Sequence, residues 1–217
     1  MNVFDRKDNT KKTAYIITSY IEGEEILSRI PEGRYIICAD KGWKYAENYN
    51  FKPDMIIGDF DSSEKPDFEN TVILPAEKDI TDSEAALDYA VSNGFQRVVI
   101  IGGLGGRLDH TMGNISLLAK YCDTPGVEVF IKDYQNLAFM KSAGTFRIAN
   151  DEEYKYIGLI SYGGNINSLT LKGFKYELEN RTLTDDTTLG VSNELTADYG
   201  EITVKAGRLL IVMTRDK

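Results

Sequence analysis

Residues Val98–Tyr121 constrain the fold more than any other stretch of this chain. A β-branched run, Val98-Val99-Ile100-Ile101, leads into Gly102-Gly103-Leu104-Gly105-Gly106-Arg107-Leu108-Asp109-His110-Thr111, and Met112–Tyr121 follows. The β-branched residues favour a strand, the glycines open backbone conformations closed to other residues, and the last segment has helical spacing. A strand, a glycine-rich loop and a helix start can cradle an anion, because bare N–H groups approach it closely and the helix N-terminus favours negative charge. Arg107 adds a guanidinium that can pair bidentately with phosphate oxygens, while a carboxylate such as Asp109 beside a phosphate calls for a metal ion between them. The pattern points to a polyphosphate with magnesium. A tight structural turn is the plainer alternative, since glycines mark turns by default.

Short apolar runs elsewhere in the first half read as strands: Ala14–Thr18, Arg34–Ala39, Met55–Ile57, Thr71–Leu74 and Val127–Ile131. Between them lie helical segments at Glu24–Arg29, Trp43–Tyr49 and Ser83–Asn93, the last stopped by Gly94. Fully apolar strands alternating with helices predict a parallel sheet covered on both faces. Asp40, Asp59, Asp61, Asp79, Asp82, Arg107 and Asp109 all fall just after strands. In an open parallel sheet those loops gather at the carboxyl edge, where ligands bind. Any one of these aspartates reads as a turn former or a cap, and Asp79 and Asp82 read as caps of the helix at Ser83. Together they would repel one another unless cations sit among them, which favours a magnesium site.

Beyond Asp133 the pattern changes to β-favouring runs broken by glycine and Asp-Asp turns. Thr145–Ile148, Tyr156–Ile160, Ser168–Leu171, Phe174–Leu178, Glu201–Val204 and Leu209–Thr214 are the strand candidates. The expected class is therefore α/β: an N-terminal open parallel-sheet nucleotide-binding domain over residues 1–135, then a small C-terminal all-β sandwich domain over residues 136–217. In the second half, Tyr176 and the Gly190-Val191-Ser192-Asn193-Glu194 segment offer an aromatic face, a hydroxyl and an amide, although alone they read as a core aromatic and a turn. A formal net charge of −9 with no basic cluster argues against nucleic acid as a partner. The two cysteines, Cys38 and Cys122, sit in apolar contexts and read as buried free thiols of a reducing compartment. Residues 2–12 read as a loose polar extension without a signal-peptide core, and no apolar run reaches membrane-spanning length, so a cytoplasmic location is expected.

Four motifs occur in order: Gly58-Asp59-Phe60-Asp61-Ser62, Lys78-Asp79-Ile80-Thr81-Asp82, Gly103-Leu104-Gly105-Gly106-Arg107-Leu108-Asp109-His110 and Gly190-Val191-Ser192-Asn193-Glu194. In this order and spacing the set resembles the thiamine pyrophosphokinase family, across roughly residues 14–214. The resemblance implies transfer of the pyrophosphoryl group of ATP to thiamine, by a homodimer with thiamine bound between subunits. It implies that Asp59, Asp61, Asp82 and Asp109 hold Mg²⁺ against the phosphates, and that Arg107 contacts phosphate oxygens. Thr81, Lys78 and Asp40 would line the ATP site, with Lys41 standing where the family's loop more usually has Gly and Lys78 where some relatives have Gln. Ser192 and Asn193 would contact the thiamine pyrimidine, and Tyr176 would stack on the vitamin where some relatives carry Trp. Asp82 or Asp59 would accept the hydroxyl proton. The sole histidine, His110, reads as a helix-start residue or an outlying support of the site. A related pyrophosphokinase acting on a pterin alcohol and a non-catalytic nucleotide or thiamine sensor are the alternatives.

Overall fold

The computed structural model describes residues 12–61 and 65–216. Most of the expected N-terminal extension, and Ser62 of the first motif, lie outside the described residues. The described residues divide into two compact units: one comprises residues 12–117 together with Thr124–Tyr134, the other Leu118–Asp123 together with the residues from Gln135 onward. The class is mixed α/β, with parallel strands and helices in the first unit and antiparallel strands in the second.

In the first unit the strands are β1 (Thr13–Ile17), β2 (Tyr35–Ala39), β3 (Met55–Gly58), β4 (Thr71–Ile73), β5 (Arg97–Ile101) and β6 (Glu128–Lys132). They line up as β4-β3-β2-β1-β5-β6, and every pairing is parallel. Ala14–Ile17, Ile36–Ala39 and all of β5 are buried. That burial on both faces is what continuous Ile and Val runs require, because no polar side has to meet water. Helix α1 (Gly42–Asn48) packs on β1 and β2, and α2 (Asp82–Ser92) on β1, β2, β3 and β5. α2 buries Ala86, Leu87 and Ala90, one face of the helix. Helix α3 (Leu108–Tyr121) begins four residues before the expected Met112, which puts Asp109 and His110 in its first turn. The segment Glu24–Arg29 forms a 3₁₀ helix instead of an α-helix.

The second unit contains β7 (Asn136–Lys141), β8 (Gly144–Ala149), β9 (Tyr156–Ser161), β10 (Ile166–Lys172), β11 (Leu178–Leu183), β12 (Tyr199–Ala206) and β13 (Leu209–Thr214). β13 pairs antiparallel with β7 and β9, and a separate antiparallel sheet runs β11-β10-β12-β8. Two expectations need correction here. Phe174–Leu178 is not a strand: Phe174 makes one isolated bridge to Leu195, and the strand starts at Leu178. β7 was not expected as a strand at all. Its alternation is hidden because four successive residues, Leu137–Met140, are buried. Cys38 is buried, whereas Cys122, at the end of α3, is only half-buried; both are free thiols. Burial pushes both thiols up from their ordinary value, so neither favours a reactive thiolate.

Gly42, the first residue of α1, lets that helix meet β1 closely. A Cβ built there would lie 2.0 Å from the Ile17 carbonyl oxygen and 3.2 Å from that of Thr18. These are backbone atoms, so relief requires moving the helix or the strand end. Gly42→Ala is therefore expected to destabilise the protein by about 2 kcal/mol or more, read as a lower thermal midpoint. An unchanged midpoint would contradict this packing.

Candidate active site

Because all six strands of the first unit are parallel, their following loops emerge at one edge of the sheet. From β1 the order runs outward through β2, β3 and β4 on one side and through β5 and β6 on the other. The reversal falls between β1 and β5, and a crevice opens at such a point in doubly wound sheets. The loops flanking it are the one after β1 and the glycine-rich loop after β5.

Those two loops are fastened together. The Thr18 hydroxyl lies 3.1 Å from the Ile101 carbonyl and 3.0 Å from that of Tyr20, and the Gly103 N–H donates to the Tyr20 carbonyl at 2.8 Å. Gly102 has φ 84°, and a Cβ there would come within 2.3 Å of the Tyr20 oxygen. Only glycine satisfies both demands. The Tyr20 ring lies against Gly105 and Gly106, where added Cβ atoms would stand 3.3 and 3.1 Å from it. On the other side, buried Asn114 of α3 donates to the Gly103 carbonyl at 2.8 Å, and the Thr111 hydroxyl lies 2.9 Å from the Gly105 carbonyl. Tyr20, Thr111 and Asn114 were missed by motif reasoning. Asn114 had one signal: a polar residue three and four positions before the buried pair Leu117 and Leu118.

Five of the expected residues come from the loops after β2, β3 and β4. Asp40 follows β2 with φ 46°, and its N–H donates to the Ile57 carbonyl at 2.8 Å. Asp59 follows β3, and its Oδ1 accepts from the Asp61 N–H at 3.3 Å. Between them Phe60 is buried with φ 53°, a conformation strained for an aromatic residue and frequent at functional sites. Lys78 extends from the loop between β4 and α2. Its ammonium bonds to Asp59 Oδ2 and, at 2.8 Å, to Asp82 Oδ1. The three side chains are 12%, 15% and 20% exposed, so the triad is largely withdrawn from water. Asp82 is the first helical residue of α2, not its cap. The cap is Thr81, whose hydroxyl accepts from the Glu84 N–H at 3.2 Å, and this corrects the assignment of Asp79 and Asp82.

The electrostatics of the triad are asymmetric. The hydrogen bond from Lys78 holds Asp59 below its ordinary carboxylate value against a smaller effect of burial. For Asp82 burial dominates and raises it despite the same ammonium, with the charges of Asp59 and Asp40 adding to the rise. Burial lowers Lys78, but the hydrogen bonds and charges of Asp59 and Asp82 outweigh it and leave the ammonium favoured. Among the described residues no three acidic, His or Cys side chains converge on one point. Asp59 and Asp82 nevertheless already share a cation, the Lys78 ammonium. Two carboxylates suffice for magnesium, which completes its six oxygens with water and substrate phosphates. The residues thus fit the ion.

Arg107 and Asp109 form a second, exposed pair, with Nη2–Oδ2 at 2.6 Å and Nε–Oδ1 at 3.1 Å; their side chains are 73% and 65% exposed. Asp109 Oδ1 also accepts from the His110 N–H at 3.0 Å. His110 is exposed in the first turn of α3. In the second unit Tyr176 is 60% exposed, Ser192 is exposed with φ 60°, and Asn193 is buried. The Asn193 amide accepts from the N–H groups of Tyr176 (3.1 Å) and Glu194 (2.9 Å) and donates to the Tyr176 carbonyl (2.9 Å). It therefore fixes the backbone that presents the tyrosine ring. The Lys175 ammonium lies 5.7 Å from the centroid of that ring and pairs with Glu194 at 2.7 Å.

Known proteins resemble this chain over both halves. The thiamin pyrophosphokinase catalytic domain matches residues 28–131, and the thiamin pyrophosphokinase vitamin B1 binding domain matches residues 145–209. A thiamine pyrophosphokinase of Bacillus subtilis (strain 168) is 36% identical over 187 residues, covering 83% of this chain and 87% of that protein. Thiamin pyrophosphokinase 1 of Caenorhabditis elegans is 30% identical over 169 residues, covering 73% of this chain and 68% of its own. The crystal structure of a Bacillus subtilis thiamine pyrophosphokinase superposes with a TM-score of 0.85 at 32% identity, over 95% of this chain and 100% of that one.

The Arg107 pairing makes one titration readable. The guanidinium holds Asp109 down to about 2 from an ordinary 3.8. A lowered carboxylate contributes its stabilisation above the unfolded value and loses it on acidification, here between pH 3.8 and about 2. Carboxyl chemical shifts should place the Asp109 midpoint near 2, and in Arg107→Gln it should return towards 3.8. A midpoint indifferent to that substitution would contradict the pair. On its two matched domains and its relatives, the chain belongs to the thiamin pyrophosphokinase family.

Proposed function

We propose that this chain is a thiamine diphosphokinase that transfers the pyrophosphoryl group of ATP to the hydroxyl of thiamine, releasing AMP. The observation that carries the reading is the convergence of Asp59, from the loop after β3, and Asp82, at the start of α2, on a single cation, the Lys78 ammonium. Family membership supplies the substrate class.

In this reading residues 1–135 form the open-sheet ATP- and Mg²⁺-binding catalytic domain, and residues 136–217 form the β-sandwich that binds thiamine and dimerises. The polyphosphate lies along the glycine-rich loop, where Arg107 exchanges Asp109 for phosphate oxygens. Asp40, Lys78 and Thr81 line the nucleotide. Asp59 and Asp82, joined by Asp61 and Asp109, would hold Mg²⁺, which when bound would neutralise charge on the phosphates. The thiamine hydroxyl attacks the β-phosphorus in line, and Asp82 or Asp59 accepts its proton. Reactions of this type need positioning and charge neutralisation more than covalent help. Tyr176, held by Asn193, stacks on thiamine beside Ser192, at an interface between two copies of the chain. A net charge of −9 also favours a cationic substrate. The reading places the chain in the cytoplasm; separately, no described helix is long and apolar enough to cross a membrane.

The direct test is AMP formation from ATP and Mg²⁺ with and without thiamine. Thiamine-dependent AMP together with thiamine pyrophosphate supports the assignment, whereas ADP would mean ordinary phosphoryl transfer and a misread site. Asp61 is exposed and contributes little to packing, so Asp61→Asn should lower kcat roughly a hundredfold or more while leaving the thermal midpoint almost unchanged. Near-normal turnover would remove Asp61 from the metal site. Tyr176→Ala should raise the KM for thiamine roughly tenfold with a smaller effect on kcat, as for loss of a cation–π contact of about 1–2 kcal/mol. An unchanged KM would make the ring a packing element only.

A further inference from the structure

The Lys78 ammonium stands where a divalent ion would have to enter. It bonds to one carboxylate at the end of β3 and to another on the first residue of α2, and both bonds are shielded from water. An ammonium and a divalent cation compete for the same oxygen lone pairs, and two cations at that spacing would repel strongly in a partly dry site. Lysine is a compact charge on a four-carbon stem, able to leave one acceptor for another a few ångströms away. Phosphate oxygens are such acceptors. Resting on the pyrophosphokinase reading, we propose that Lys78 is an internal counter-cation: it holds Asp59 and Asp82 together in the nucleotide-free protein and excludes divalent ions until a polyphosphate draws the ammonium away.

The device has two consequences for this chain. Without Lys78 the two carboxylates would face each other uncompensated, with the charge of Asp40 also reaching Asp82. Repulsion would then either open the site or recruit a cation from solution. With Lys78 present the pair stays convergent at no cost in metal, and the divalent ion arrives together with the nucleotide. Lys78 is thereby a positioning residue, acting on the metal through the carboxylates it occupies.

The test measures Mn²⁺ binding by electron paramagnetic resonance to the full chain, free and with α,β-methylene-ATP, for the wild type, Lys78→Met and Lys78→Arg. Lys78→Met should bind Mn²⁺ at least about tenfold more tightly than wild type without nucleotide, equivalent to about 1.4 kcal/mol. Lys78→Arg, which keeps a cation between the carboxylates, should stay within about twofold of wild type. The thermal midpoint of Lys78→Met should fall without metal and recover as Mn²⁺ is added, a response wild type lacks. If Lys78→Met does not accumulate folded, Lys78→Gln is read in the same way. Equal Mn²⁺ affinity of wild type and the neutral variants in the nucleotide-free state, with Mn²⁺ bound normally alongside the analogue, overturns the role of Lys78 alone. Absence of bound Mn²⁺ in every protein even with the analogue overturns the metal site and this proposal with it.

Discussion

The first unit depends on β1 being hydrogen-bonded in parallel on both sides, to β2 through Ala14–Ile17 and to β5 along its whole length. A central parallel strand buries both faces and sends every neighbouring strand out at the same edge. Everything chemically interesting in this unit follows from that constraint. The loops after β2, β3, β4 and β5 have nowhere else to emerge, so acids scattered from residue 40 to residue 109 lie along one rim. Apolar burial supplies the rigidity: Ile16, Ile17, Ile37, Ile100 and Ile101 are all fully buried, each side chain contributing on the order of 2 kcal/mol. The rim itself is polar and strained, with positive φ at Asp40 and Phe60. Stability and chemistry are thus separated by a few residues along each strand.

Much of this was legible in the amino-acid order. Runs such as Tyr35–Ala39 and Arg97–Ile101 have no polar alternation, and such runs have few homes other than a doubly covered parallel sheet. Three of the four motifs follow strands of the first half, so their residues could be placed on one edge before any coordinate. What could not be read was partnership. Lys78 could be suspected of touching a nucleotide, but its bridge between Asp59 and Asp82 depends on how the loop after β4 returns to α2. Asn193 offered an amide to a ligand on paper, yet three of its hydrogen bonds hold Tyr176 and Glu194 in place.

Local rules also gave the wrong answer where two of them competed. Asp79, Thr81 and Asp82 are all acceptable caps, and Thr81 takes the role because its φ of −77° and ψ of 161° leave the chain extended just before the helix. The start of α3 was set late by the glycines, although helical geometry already holds at Leu108. β11 was misplaced because Leu178-Glu179-Asn180-Arg181-Thr182-Leu183 has no apolar face to announce it, and only Leu183 is buried.

That polarity of β11 has a meaning of its own. β11 ends its four-stranded sheet, and its pairing with β10 is broken by two register shifts. An outermost strand offers unpaired backbone groups to any extended chain that drifts past. Glu179 and Arg181, with the irregular ladder behind them, make a poor template for such an addition. Exposed Tyr176 stands two residues before this strand, so a neighbouring edge that resists aggregation keeps that apolar surface from recruiting another chain. Self-association through this strand's open edge is disfavoured.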